Sequence, residues 1–429
     1  IQAVEGSEVH FLKMIQTLGK AAPQKVTSSS KLAQIMAAKA RLLADVIEGA
    51  LNEDNYENIS ENDNKELKDK LKAFQQVLVH DMTEKQFADV YAQTIAYGMF
   101  IARLHDKTPD TFSRMEASSL IPQSNPFLRK VFNSIALTDL DSRIAWIIDD
   151  LAEIFRVTDI KKVMRNYGKT TGRADPMIHF YEDFLSIYDP KLKDQFGVWY
   201  TPLPVVQFIV RAVDDILISE FALQKGLADT SKVEVLRSLV QSPDKRFTDN
   251  KKKEKRTFHK VQILDPATGT GTFLAETINQ IYSKFKGQEG LWQEYVTKDL
   301  VPRLNGFELL MAPYTMAHLK LDMMLQQTGY THENSNRLNI FLTNSLEKEY
   351  PETETLFAQW LSDEANAASI IKRDAPVMVI MGNPPYGGES KNKSEWIMQL
   401  MNDYKQEPGQ QAELIGKKKK KTKNTLKEQ

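Results

Sequence analysis

No cysteine occurs among the 429 residues of this chain. That excludes disulfides, thiolate zinc sites and a cysteine nucleophile, and it fits a reducing cytoplasm. Runs of about eighteen apolar residues, the length of a membrane-spanning helix, are also missing, as is a secretory signal pattern. The seven histidines are scattered without ligand spacing. No Gly-x-Ser-x-Gly elbow appears. Gly168-Lys169-Thr170 resembles the end of a phosphate loop, but Val163 stands where that loop's first glycine is due, so triphosphate hydrolysis is not expected there. Net charge is small too, at −1, and gives no overall argument for a nucleic-acid partner. The charge is nevertheless uneven. Residues 245–256 and the tail from Lys417 to Lys427 are strongly basic and read as solvated or disordered runs, with a phosphate-facing loop as the lesser alternative. Pro243, Asp244 and Glu254 have no strand pattern around them, so a nuclease metal site is not expected.

What is present is a globular composition, 41% hydrophobic and 26% charged, at a length that accommodates two or three domains. Ile1 rather than Met opens the numbering, which reads either as a start inside a longer polypeptide or as a numbering that leaves out the ends. Residues 1–190 read as helical throughout. Ser30 is placed to cap a helix carrying Leu32, Ile35, Met36, Leu42, Leu43, Val46 and Ile47 at helical spacing. Residues 52–65 are polar and turn-rich, a loop. Thr83-x-x-Gln86 is a capping box ahead of Phe87, Val90, Tyr91, Ile95 and Met99. Amphipathic segments follow at 127–155 and 176–188; their aromatic stripes, and His179 on the second, read as core.

From about residue 196 the pattern changes. Short apolar strands at 261–264, 304–307, 339–342 and 376–381 alternate with helical stretches at 272–285, 312–326 and around 356–361. Such alternation predicts an α/β fold with a Rossmann-like, doubly wound, mostly parallel sheet and right-handed crossovers. Ligands of such sheets sit at the carboxyl ends of the strands. The expected organisation is an all-α domain over 1–190, the sheet domain over 191–405 and a basic tail over 406–429.

The residues that carry chemistry fall at those strand ends. Asp265-Pro266-Ala267-Thr268-Gly269-Thr270-Gly271 follows the first strand and opens a helix. Its glycines allow a tight turn and close approach of a ligand to free helix-start amides. The dinucleotide fingerprint fails, because Phe273 and Leu274 stand where a third glycine is due. An acid ahead of the glycines repels pyrophosphate and suits an ammonium group, which points to an amino-acid-bearing nucleoside such as S-adenosylmethionine. Glu308 ends the second strand, where a carboxylate can accept both hydrogen bonds of a ribose diol. Asn344, in Thr343-Asn344-Ser345 after the third strand, is placed to read an adenine edge. After the fourth stands Asn383-Pro384-Pro385-Tyr386. A side-chain amide oxygen and a prolyl carbonyl there form two acceptors for one amino group, and Tyr386 offers a face for a flat ring.

This constellation resembles the amino-group DNA methyltransferases that use S-adenosylmethionine. Gly197-x-x-Tyr200-Thr201-Pro202 before an amphipathic helix resembles their first cofactor motif, residues 265–273 their glycine loop, and residues 383–386 their catalytic tetrad. The order of motifs is similar to the gamma arrangement. Residues 78–104 and 179–202 also resemble the coupler region of single-chain type ISP and type IIG-like restriction–modification enzymes. The resemblance covers roughly residues 28 to 404. It implies a catalytic set of Asn383, Pro384, Pro385 and Tyr386, and cofactor contacts from Tyr200, Thr201, Pro202, Asp265, Pro266, Ala267, Gly269, Gly271, Phe273, Glu308 and Asn344. Family members often carry an acid where Asn344 stands.

The implied reaction is methylation of the exocyclic N6 of an adenine flipped out of duplex DNA. Acceptors on Asn383 and Pro384 would hold the amine in line with the methyl donor, with no covalent intermediate and no metal. Methylation of cytosine N4, RNA adenine or a protein glutamine, or a non-catalytic coupling module, are the alternatives. The resemblance also implies further sheet strands, a second aromatic and a target-recognition domain beyond the tetrad, and nuclease or helicase parts in the same polypeptide.

Overall fold

The structure is a computed structural model and describes residues 26–52, 61–122, 124–136, 140–164, 176–189, 201–238, 253–331, 337–346, 355–384, 398–399 and 402. Local capping decides where its first helices begin. Ser28, rather than the expected Ser30, caps α1 (Ser29–Asn52), its hydroxyl accepting the Lys31 amide at 3.3 Å. The second helix, α2 (Glu61–Val77), starts inside the stretch expected to be a loop. Its first turn holds no glycine or proline, and the buried Leu67, Leu71 and Phe74 beyond set the helical period. The capping box ahead of α3 (Glu84–His105) is reciprocal: Thr83 donates its amide to Gln86 Oε1 at 3.0 Å, and Gln86 returns its own to Thr83 Oγ1 at 3.3 Å. Then come α4 (Arg114–Leu120), α5 (Pro126–Ile135), α6 (Ser142–Val157) and α7 (Pro176–Tyr188), the last carrying His179. Among the described residues no strand precedes Lys232.

The chain groups into two units, and each has its own core. One comprises residues 1–49, 91–122 and 128–190. It is packed around aromatics of α3, α6 and α7: Phe100 stacks on Phe180 at 4.9 Å, and Tyr97 meets Tyr181 edge-on at 4.9 Å. Arg103, also buried, donates to the carbonyls of Phe155 and Thr158 and so satisfies the end of α6. The expected reading of these aromatics as core holds for Phe155, Phe180, Tyr181 and Phe184, all buried.

The other unit comprises residues 50–90, 123–127 and 191–429. It begins its C-terminal portion with α8 (Leu203–Ser219), whose buried Asp214 accepts bonds from Gln280 and Lys284. Next comes a feature not expected from the sequence, an antiparallel ribbon of β1 (Lys232–Ser238) and β2 (Lys253–His259). Glu254 and part of the basic run therefore lie on a strand; Pro243 and Asp244 fall outside the described residues. Apolar alternation is confined to Val233 and Val235 of β1, with Phe258 of β2 opposite Val233, too short a pattern to stand out from the charged residues around it.

The sheet proper is built from β3 (Gln262–Asp265), β4 (Leu304–Glu308), β5 (Asn339–Leu342) and β6 (Val377–Ile380). All pairings are parallel, in the spatial order β5-β4-β3-β6. Between them run α9 (Thr272–Ser283), α10 (Met311–Gln327) and α11 (Leu356–Asp374). Leu264, Phe307 and Phe341 point to one face and bury Ala368 of α11. The opposite face carries Gly306 and Ile340 beside Leu274 of α9, while His318 of α10 meets the Ile340 carbonyl at 3.2 Å. Helices on both faces make the sheet doubly wound, as expected. Strands β3, β4 and β5 step outward in one direction; α11 then carries the chain back across the other face to β6. A topological switch point therefore lies between β3 and β6.

Buried polar groups brace this unit. Tyr314 of α10 donates to Asn125 at 3.0 Å and lies 3.4 Å from Glu364 of α11, which also receives Arg337 at 2.5 Å. Nearby His318 is pushed down to about 3 by burial and by Arg337, so it is neutral at ordinary pH.

Candidate active site

At the switch point the loops after β3 and β6 touch. The Met381 amide donates to the Leu264 carbonyl at 3.0 Å, so the chain entering Asn383 still runs alongside β3. Asn383 is half-buried and Pro384 exposed, while Pro385 and Tyr386 lie outside the described residues. Asp265, across from them, is buried. Its Oδ1 accepts the Ala267 amide at 3.1 Å, whereas Oδ2 is buried with no protein partner. Burial pushes its carboxyl up to about 7, with the Ala267 amide opposing and Glu308 adding to the rise. A buried carboxylate oxygen without a donor is a costly arrangement unless a ligand supplies one.

The turn between Asp265 and α9 needs its glycines for geometry. Gly269 and Gly271 have φ of +55° and +80°, a region that disfavours other residues. Gly271 also lets α9 approach α10, since a Cβ there would lie 3.3 Å from Ala317 Cβ. Thr268 folds inward, its amide on the Phe307 carbonyl at 2.9 Å and its hydroxyl on the Asp265 carbonyl at 3.1 Å. Thr270 Oγ1 is a second buried polar atom without a partner. Pro266 and Ala267 are half-buried on the crest of the turn, and Phe273 is buried in the first turn of α9.

Glu308 at the end of β4 faces the same turn. Its Oε1 accepts the Leu309 and Leu310 amides, each at 2.9 Å, and its Oε2 accepts the Gly269 amide at 2.8 Å. Burial raises its carboxyl and these three amides hold it back. Of roughly four lone-pair positions on a carboxylate, one on Oε2 stays open.

Asn344 has a different set of partners. Its Oδ1 accepts the Leu346 amide at 3.1 Å and its Nδ2 lies 3.4 Å from the Leu78 carbonyl. The neighbouring Ser345 instead reaches the glycine-loop side, donating to the Pro266 carbonyl at 2.5 Å. Lys372 of α11 fixes this corner through Thr343 Oγ1 at 3.0 Å and the Asn344 carbonyl at 2.6 Å. Thr201 and Pro202 stand at the start of α8, where the Pro202 carbonyl accepts the first helical amides; Tyr200 lies outside the described residues. The structure thus brings together Asp265 to Gly271, Glu308 and the Gly382–Asn383 entry. Thr268, Ser345 and Lys372 were not singled out from sequence, because small hydroxyls and a helix-end lysine carry no motif of their own.

Residues 244–414 match the family model for the DNA-methyltransferase domain of MmeI. The matched stretch contains all four sheet strands and both loops of the crevice. Among solved structures the chain is similar to a nuclease-deletion mutant of the type ISP restriction–modification enzyme LlaGI, in complex with a DNA substrate mimic. The identity is 20% and the TM-score 0.56, over 92% of this chain and 27% of that one. It is likewise similar to LlaBIII, an ATP-dependent type ISP restriction–modification enzyme bound to DNA, at 20% identity and a TM-score of 0.55, over 87% of this chain and 22% of that one. At such identity the likeness is one of fold, and this chain spans about a quarter of either enzyme. No curated protein sequence matches it significantly. The fold is that of a methyltransferase α/β domain preceded by a mostly helical region. Among the described residues no helix is long and apolar enough to cross a membrane.

Proposed function

We propose that this chain is the modification part of a restriction–modification enzyme and transfers a methyl group from S-adenosylmethionine to N6 of an adenine flipped out of duplex DNA. The observation that carries this reading is the meeting of Asp265 and the Gly382–Asn383 entry across the β3/β6 switch point. A cofactor carboxylate and an amine acceptor occupy neighbouring strand ends there. The matched methyltransferase domain supports the same reading.

The residues fit the methyl donor. The open Oδ2 of Asp265 suits its ammonium group, the positive-φ glycines leave room for close backbone approach, and the remaining lone pair of Glu308 suits one ribose hydroxyl. When bound, S-adenosylmethionine supplies an electrophilic methyl on a sulfonium. Asn383 Oδ1 and the Pro384 carbonyl accept the two N–H bonds of the amine, favour its more tetrahedral form and hold it toward that methyl. Tyr386 stacks on the face of the flipped base. Tyr200, Thr201 and Pro202 would help to hold the donor, and Asn344 would act through the loop it orders after β5. Further nuclease, helicase and target-recognition domains of the same polypeptide, in a prokaryotic cytoplasm, complete the assignment. The test is methyl transfer by the full-length protein onto random duplex DNA, with the product identified by mass spectrometry. N6-methyladenine is expected; methylated cytosine, or label in protein alone, would contradict the proposal.

A further inference from the structure

Gly382, which follows Met381 after β6 and directly precedes Asn383, is not a turn glycine. Its φ is not positive, so a side chain there would not meet the strain of the left-handed region. Space is what excludes a side chain. A Cβ at 382 would lie 2.5 Å from Asp265 Oδ1, 3.4 Å from Asp265 Cγ and 3.3 Å from Pro266 Cδ. Real Cβ atoms do not come so near an oxygen. Asp265 has little room to yield, being 1% exposed and held through Oδ1 by the Ala267 amide. The β6 side is pinned as well, through the Met381 amide on the Leu264 carbonyl. Neither loop can relax without moving the other.

We propose that Gly382 is a positioning residue, whose missing side chain seats the Asp265 carboxylate against the catalytic loop and so fixes the spacing between donor and amine. The inference rests on the function proposed above. Adding one methyl group must either push the carboxylate off its ligand or carry Asn383 away from it, by a shift of about 1 Å. A misplacement of that size costs about 100-fold in rate where reacting atoms must be aligned. Loss of one charge-assisted bond to an ammonium costs about tenfold in affinity.

The test is a double-mutant cycle on the full-length protein, reading S-adenosylmethionine affinity by calorimetry and single-turnover methyl transfer separately. Gly382→Ala should weaken the cofactor about tenfold and slow transfer about 100-fold. In an Asp265→Ala background, where the colliding carboxylate is gone, Gly382→Ala should weaken the cofactor no further. Equal losses in both backgrounds, or unchanged affinity in the single variant, would overturn the proposal. If Gly382→Ala fails to fold, the double variant should still melt with Asp265→Ala; its failure to do so would also overturn it. Absence of cofactor binding by the unaltered protein would instead remove the underlying functional reading.

Discussion

Asp265 makes the stability of the ligand-free protein fall as pH rises, and the size of the fall follows from its burial. Its carboxyl moves from an ordinary 3.8 to about 7 on folding. Between those values the native state holds a proton that the unfolded state has released, so stability is full below the lower one and declines until the upper one is passed. At 1.36 kcal/mol per unit, the full interval corresponds to about 4 kcal/mol, and the accessible window from pH 5 to 7 to about 2.5–3 kcal/mol. With a urea dependence of about 3 kcal/mol per molar, the unfolding midpoint should drop by roughly 1 M between pH 5 and 8. Asp265→Asn keeps the side-chain shape and an acceptor for the Ala267 amide but cannot ionise. Urea unfolding of both proteins at intervals from pH 5 to 8 isolates the effect. The difference in slope between them should account for most of the 1 M. Parallel slopes would refute the claim that the buried carboxyl is proton-bearing without ligand.

Two further predictions concern the scaffold. Gly306 lies on the inner strand β4, where a Cβ would come within 2.5 Å of Thr268 Oγ1, 2.8 Å of Ile340 Cδ1 and 2.9 Å of Leu274 Cδ1. Gly306→Ala should therefore cost about 2–3 kcal/mol, read as a urea midpoint lower by roughly 0.7–1 M; a shift under about 0.2 M would show that the sheet yields freely. Glu364→Ala leaves Arg337 without its carboxylate partner and should cost about 2–4 kcal/mol, less than a fully buried pair because Arg337 is about a quarter exposed. The double variant Arg337→Met, Glu364→Leu should recover most of that loss in the same assay, and no recovery would contradict the assignment to an unpaired charge.

Much of the site was legible because it sits where apolar runs stop. The four strands appear within a residue or so of their expected bounds, because each has a short apolar stretch (Ile263–Leu264, Phe307, Ile340–Leu342 and Val377–Ile380) set between helical sequences. The order of motifs placed Asp265 and Asn383 at strand ends, and the sheet order then put those ends side by side. Other features had no such mark. The apolar alternation of the β1–β2 ribbon is too short to stand out, and its lysines read as a solvated run. The cap on α1 falls on Ser28 because three consecutive serines offered equal chemistry. Glu308 carries the expected carboxylate, but that Gly269 donates to it depends on how the β3 turn folds back. The role of Gly382 is a matter of distance to a residue far away in sequence, and spacing along the chain cannot express that.

In the function proposed above, Asn383 acts on the amine and Asp265 on the donor, from adjacent strand ends. The most direct measurement compares the Asn383→Ala variant with the unaltered protein for single-turnover methyl transfer to DNA and for S-adenosylmethionine affinity. Transfer should be abolished while affinity changes by less than about twofold, since uniform binding is untouched when only a transition-state contact is lost. Transfer at the original rate, or cofactor binding lost together with activity, would contradict it.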